Sequence, residues 1–140
     1  MHHIIYMSRV TASLSATDLV SLLGRARQHN DQAGITGALV YGKQQFMQVL
    51  EGEQPVITAL YHRILQDARH VAVFKLADKP IAARTFTTWA MAFRELTPGE
   101  FTALAGYLSP AQLAQTVFRP NSVNPLLLDR LRQLVAVDTE

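Results

Sequence analysis

The chain contains no cysteine, and that one absence removes disulfides, thiolate metal sites and thiol nucleophiles together. Charge is also scarce: Asp, Glu, Lys and Arg make up 17% of the 140 residues. The net charge of +2 is scattered, so there is no basic stripe of the kind a nucleic-acid surface requires. No apolar run approaches the ~18 residues of a membrane span, and the N-terminus lacks signal-peptide organisation. No membrane association and a cytoplasmic setting are therefore expected. There is no glycine-rich phosphate loop, no Ser/His/Asp arrangement and no carboxylate pair in a plausible cleft. His2 and His3 fall on opposite faces of one strand, and His62 has no companion ligand nearby, so no metal is expected.

What remains is an ordered, apolar chain, 49% hydrophobic and long enough for one domain with a substantial core. His3 to Arg9 reads as a strand. Ser13 to Asp18 supplies capping residues for a helix carrying Leu19, Leu22, Leu23 and Ala26, which frays near Asn30 and stops before Gly34. Ile35–Tyr41 and Gln45–Leu50 form a hairpin about Gly42-Lys43-Gln44. Pro55 suits the first turn of a second helix with Val56, Ile57, Leu60, Tyr61, Ile64 and Leu65 as its stripe. Val71–Ala77 is a fourth strand, Asp78-Lys79-Pro80 a turn, and Phe86–Phe93 a fifth strand. The order βαββαββ predicts an α+β, ferredoxin-like fold with a five-stranded mixed sheet.

The first four strands are apolar on both faces, which implies a sheet covered on both sides. The two helices can cover only one. The remainder is expected to cover the other, through a helix opened by Thr97-Pro98-Gly99-Glu100 with Phe101, Leu104 and Leu108. A last helix follows Pro125 with Leu127, Leu128, Leu131, Leu134 and Val135. A boundary near Leu96 divides a sensor region, 1–96, from a helical cap, 97–140.

Against this apolar background Gln48 stands out. Every neighbour in Phe46-Met47-Gln48-Val49-Leu50 is apolar, and a buried amide without partners costs roughly 1–3 kcal/mol. Tyr6, in Ile4-Ile5-Tyr6-Met7, places a hydroxyl in a second apolar strand, and buried tyrosine hydroxyls find partners. In a ferredoxin-like sheet these strands are neighbours, so Tyr6 and Gln48 can meet under the two helices. Asn30 closes the first helix there, and its amide offers a donor and an acceptor in one plane. That matches the imide edge of a flavin or a pyrimidine. Arg63 is available near the mouth on the second helix, with Asp67, Arg69 and His70 at its far end. Taken singly, Asn30 is an ordinary helix-end residue, and Arg63 and His70 are solvated surface groups.

Taken together, Tyr6, His29-Asn30, Gly34-Ile35-Thr36-Gly37, Phe46 to Gly52, Tyr61-His62-Arg63-Ile64, Asp67-Ala68-Arg69-His70 and Trp89-Ala90-Met91 resemble the BLUF domain, a blue-light sensor that uses FAD. The resemblance spans about Ile4 to Leu96. It implies FAD between the two helices, with Asn30 and His29 at its carbonyl–imide edge. Arg63, Asp67 and His70 would meet its polar parts, and Leu22 and Ile64 would sandwich the ring. It further implies that Tyr6 gives up an electron and a proton, that Gln48 relays the proton and is left with reversed hydrogen bonds, and that Trp89 and Met91 carry the change across the sheet.

The implied protein is a photoreceptor and not an enzyme. The tail is too short for a catalytic or DNA-binding output domain. A downstream protein partner, and a homo-oligomer built on any apolar surface the tail leaves over, are expected. A light-independent flavin- or small-ligand-binding regulatory module is the alternative. An RNA-recognition module would need an open sheet face with exposed aromatics, where this chain is aliphatic and covered. An acylphosphatase-type enzyme would need an anion-cradling loop.

Overall fold

The computed structural model describes residues 1–10, 15–42, 44–67, 70–87, 90–105 and 126–138. Strand β1 (His2–Val10) leads to helix α1 (Ala16–Ala33), then β2 (Thr36–Gly42) and β3 (Gln45–Gly52). Helix α2 (Gln54–Gln66), β4 (His70–Pro80) and β5 (Ala92–Glu95) follow, and the tail carries α3 (Pro98–Ala105) and α4 (Leu126–Asp138). The sheet order is β4-β1-β3-β2-β5. Its first four strands pair antiparallel, as in a ferredoxin-like fold, and β5 joins β2 in parallel. The sheet is therefore mixed and five-stranded, as expected.

Local chemistry fixes the ends of these elements. Ser15 opens α1 with a capping box: its hydroxyl accepts from the Asp18 N–H, and the Asp18 carboxylate accepts from the Ser15 N–H, both at 3.1 Å. Such a cap contributes about 1 kcal/mol. Gly34 closes the helix in the left-handed region at φ 71°, where a side chain would strain the backbone. Thr97 and Glu100 form a second capping box that opens α3. In β2, Gly37 is required by close approach, because a Cβ there would lie 1.9 Å from the Val49 carbonyl oxygen.

The sheet separates two cores. Under α1 and α2 lie Ile4, Tyr6, Leu19, Leu23, Leu39, Phe46, Leu50, Ile57 and Tyr61, with Met91. On the opposite face Ile5, Val40, Met47, Val49 and Leu76 pack against Phe101, Leu104, Leu127, Leu131, Leu134 and Val135. The tail thus covers the second face, and an open sheet for RNA is not present there. Its apolar stripe is largely consumed by that role. Among the described residues of α4, only Leu126 is an exposed large hydrophobic. No described helix is long and apolar enough to cross a membrane.

Two expectations are corrected. The fifth strand is not Phe86–Phe93 but Ala92–Glu95. The Thr85 and Phe86 N–H groups donate to the Glu51 carboxylate at 2.7 and 3.0 Å instead of to a neighbouring strand, so the strand does not begin at Phe86. Asp78-Lys79-Pro80 is not a turn but the end of β4, paired with Ile4, His3 and His2. Proline, which has no N–H to give, is tolerated at the end of this edge strand. Leu108 and Trp89 lie outside the described residues.

Candidate functional site

A cavity of about 350 Å³ opens between α1, α2 and the sheet, within the size range of cofactor sites. The lining follows helical spacing. From α1 come Leu22, Arg25, Ala26, His29 and Asn30, and from α2 Leu60, Arg63 and Ile64, with Asp67 at its end. These are the i, i+3, i+4 and i+7 positions of single helix faces. The floor is Tyr6, Leu39, Phe46 and Gln48 from the strands.

Register brings the two central polar groups together, since Tyr6 in β1 stands directly opposite Gln48 in β3. The Tyr6 hydroxyl donates to Gln48 Oε1. Tyr6 is 2% exposed and Gln48 7%, and Tyr61 of α2 packs on the Tyr6 ring with centroids 5.7 Å apart. Burial, reinforced by Tyr61 and the negative charge of Asp67, pushes the Tyr6 phenol well above the ordinary tyrosine range. The phenol is a firmly held proton donor. Gln48 Nε2 donates to the Met91 thioether at 3.4 Å, a soft acceptor that leaves the amide incompletely satisfied.

Asn30, 1% exposed, is held on both sides. Its Nδ2 donates to the Ala90 carbonyl at 2.9 Å. Its Oδ1 lies 3.3 Å from His29 Nδ1, while Arg63 reaches His29 Nε2 at 2.7 Å. A guanidinium can only donate, so Nε2 accepts and Nδ1 carries the ring proton that it donates to Asn30. Among the described contacts, Asn30 keeps one N–H and one lone pair uncommitted. A buried amide with that remainder, facing an apolar slot, fits a flat heterocycle with adjacent carbonyl and N–H groups. Arg25 and Arg63 place two cations at the rim, which suits an anionic extension of such a ligand.

The structure therefore gathers Tyr6, Leu22, His29, Asn30, Gln48, Arg63, Ile64 and Asp67 around one cavity. His70 is the first residue of β4, paired with Val10, and its side chain is outside the described set. Met91 is 1% exposed on the cavity side, just before β5. No described group of His, Cys, Asp or Glu could hold a metal. Sequence reasoning did not assign Arg25, Ala26, Leu39, Phe46 and Leu60 to the lining; helical steps from Leu22, His29 and Ile64 point to Arg25, Ala26 and Leu60, and Phe46 shares a strand face with Gln48. It also missed Arg27, whose Nε donates to the Met91 carbonyl at 2.8 Å; no sequence signal marks that bond.

The family described as sensors of blue light using FAD, abbreviated BLUF, matches residues 1–92. Photoactivated adenylate cyclase subunit beta of Euglena longa is 37% identical over 81 residues, covering 58% of this chain but only 9% of the relative. The solved dark-state structure of BlrB superposes with a TM-score of 0.69 at 28% identity, covering 98% of this chain and 96% of BlrB. The ground state of BlsA superposes with a TM-score of 0.75 at 27% identity, covering 94% and 87%.

Proposed function

This chain belongs to the BLUF family of flavin-binding blue-light sensors, and we propose that it is itself a photoreceptor that binds FAD non-covalently in the cavity between α1 and α2. The observation that carries this reading is the hydrogen bond from Tyr6 to Gln48 on the cavity floor, below the partly uncommitted amide of Asn30. Asn30, with His29 behind it, would hold the carbonyl–imide edge. Leu22 and Ile64 would flank the ring. Arg63 and Asp67, with His70 beyond, would meet the polar remainder.

A bound flavin supplies, on absorbing blue light, a strong one-electron oxidant. Tyr6 is the oxidisable side chain on the cavity floor. A phenol that gives up an electron becomes strongly acidic, and its proton has a path already drawn, along the hydrogen bond to Gln48 Oε1. The electron and proton later return, so no net chemistry remains and the chain acts as a sensor and not as a catalyst. What persists for a time is the arrangement of the Gln48 amide, which exchanges its soft bond to Met91 for a bond toward the cavity. Met91 stands one residue before β5, and Arg94 of β5 donates to the Leu134 carbonyl in α4 and to Glu100 in α3. We place the outgoing signal on this path, with Trp89 and Met91 as its first members and the cap, 97–140, as its exit. Its reader would be a partner protein or a second copy of the chain.

The test is direct. The purified protein, reconstituted with FAD if necessary, should be yellow and show a reversible red shift of flavin absorption under blue light. Failure to bind flavin refutes the reading. Flavin that binds but shows no shift would leave only the light-independent binding module.

A further inference from the structure

Two side chains one helical step apart, Arg27 and Asn30, take hold of two successive backbone carbonyls. Asn30 Nδ2 donates to the Ala90 oxygen at 2.9 Å, and Arg27 Nε donates to the Met91 oxygen at 2.8 Å. The pair clamps to α1 the short segment from which β5 begins at Ala92, opposite Ala38 of β2. The two residues differ in where the rest of the side chain goes. Asn30 lines the cavity; Arg27 does not, so its bond does not depend on what the cavity holds. Beyond that carbonyl, the Met91 side chain turns inward and receives the Gln48 amide on its sulfur at 3.4 Å.

We propose that Arg27 is a positioning residue for the light response: by holding the Met91 carbonyl to α1, it keeps the Met91 thioether against the Gln48 amide in the resting state. The inference rests on the photoreceptor reading of the cavity. A thioether is a weak acceptor, and although core packing confines Met91, a flexible methionine can move its sulfur within the core. Fixing its backbone with a charge-assisted bond removes that freedom. When the clamp is absent, the resting arrangement of Gln48 loses its acceptor, and the return to that arrangement has less driving force.

The experiment compares full-length wild type, Arg27→Ala, Arg27→Lys, Met91→Leu and the double variant Arg27→Ala/Met91→Leu. Arg27→Ala should bind flavin normally and keep the light-induced red shift, because Tyr6, Gln48 and Asn30 are untouched. Its dark recovery should slow by roughly threefold to tenfold, the scale of the net contribution of one hydrogen bond. Arg27→Lys, which keeps a cationic donor, should restore most of the wild-type rate. In the Met91→Leu background, where no sulfur remains to be positioned, Arg27→Ala should have little further effect. Amide hydrogen exchange across Ala92–Glu95 should also quicken in Arg27→Ala, in flavin-free protein as well as loaded. Wild-type recovery in Arg27→Ala, an undiminished effect in the Met91→Leu background, or loss of flavin from Arg27→Ala would each overturn the proposal. Absence of any light-induced shift in the wild type would instead remove the photoreceptor reading on which it rests.

Discussion

Gln48 and Glu51 lie three residues apart on β3, face opposite sides of the sheet, and are both buried, yet they are satisfied in opposite ways. Glu51, 0% exposed, accepts from the Thr36 hydroxyl at 2.9 Å and from the Thr85 and Phe86 N–H groups. Arg84 closes the same corner through Thr36 Oγ1, the Glu51 carbonyl and the Gly34 carbonyl. Gln48 has the Tyr6 hydroxyl on its oxygen and only a thioether on its nitrogen. A buried polar group with all its partners has one arrangement; one with a weak partner has an alternative within reach. On the tail side the polar group is a fastener; on the cavity side, in the proposed photoreceptor, it is the part that moves.

The largest effect expected from this contrast is all-or-none. Tyr6→Phe keeps the ring in its place between Tyr61 and the sheet but removes the electron and proton donor. Gln48→Leu keeps the volume but removes the amide. Both should retain flavin and lose the light-induced red shift, read by difference spectroscopy under blue light. A normal photocycle in either would refute the assigned roles.

Stability should rank the two positions the other way. Glu51→Ala strands the buried Phe86 N–H and leaves the half-buried Thr85 N–H and Thr36 hydroxyl without their acceptor, at an expected cost of about 3–5 kcal/mol. Gln48→Leu removes an imperfectly paired amide and leaves the Tyr6 hydroxyl, at the edge of the cavity, without its Gln48 acceptor, so it should cost less, about 1–3 kcal/mol. Denaturant titration of both variants measures the difference. Equal losses would mean that Gln48 is as much a fastener as Glu51.

The same contrast explains how much of the molecule was legible in its sequence. Apolar alternation on both strand faces required two covers, and the heptad-like stripe of Leu127, Leu131, Leu134 and Val135 identified the second. Tyr6 and Gln48 were conspicuous because a hydroxyl and an amide interrupt apolar strands. The start of β5 was not legible. Phe86 looks like a strand residue, but its N–H is claimed by a side chain 35 positions earlier, and sequence-local patterns carry no trace of such a partner. Pro80 resembles a turn residue until it is known to close an edge strand. The Arg27 bond is hidden for a related reason: its acceptor is a backbone carbonyl, which every residue has.

A third expectation concerns the buried polar residue on the tail-facing side of β1. His3 pairs with Glu51 across the strands and is 2% exposed, with no partner for either ring nitrogen among the described residues. Burial, with the nearby charges of Lys79 and His2 outweighing Asp78, lowers its pKa from 6.5 to about 4. The unfolded chain therefore takes up a proton that the folded chain refuses. Between pH 6.5 and 4 the unfolded state binds more protons, so stability falls as pH falls, by up to about 3 kcal/mol. His3→Leu should flatten that slope in denaturation midpoints taken from pH 7 to pH 4.5. An unchanged slope would assign the acid sensitivity to other groups.

The smallest effect expected is at the exit of the proposed signal path. Arg94 bonds the Leu134 carbonyl and the Glu100 carboxylate, each at 3.1 Å, and so links β5 to α3 and α4. These contacts are partly exposed, with side chains 22% and 29% accessible, and such pairs contribute about 1 kcal/mol or less. Docking of α4 rests instead on Leu127, Leu131, Leu134 and Val135, each worth about 1.5–3 kcal/mol when fully buried. Arg94→Ala should therefore leave global stability almost unchanged and keep the tail on the sheet. What it should alter is coupling. In the wild type, illumination should change hydrogen exchange in α4; in Arg94→Ala the change should shrink while the flavin red shift stays intact. A light-dependent exchange pattern in α4 that survives Arg94→Ala would show that the cap follows the sheet through its apolar contacts alone.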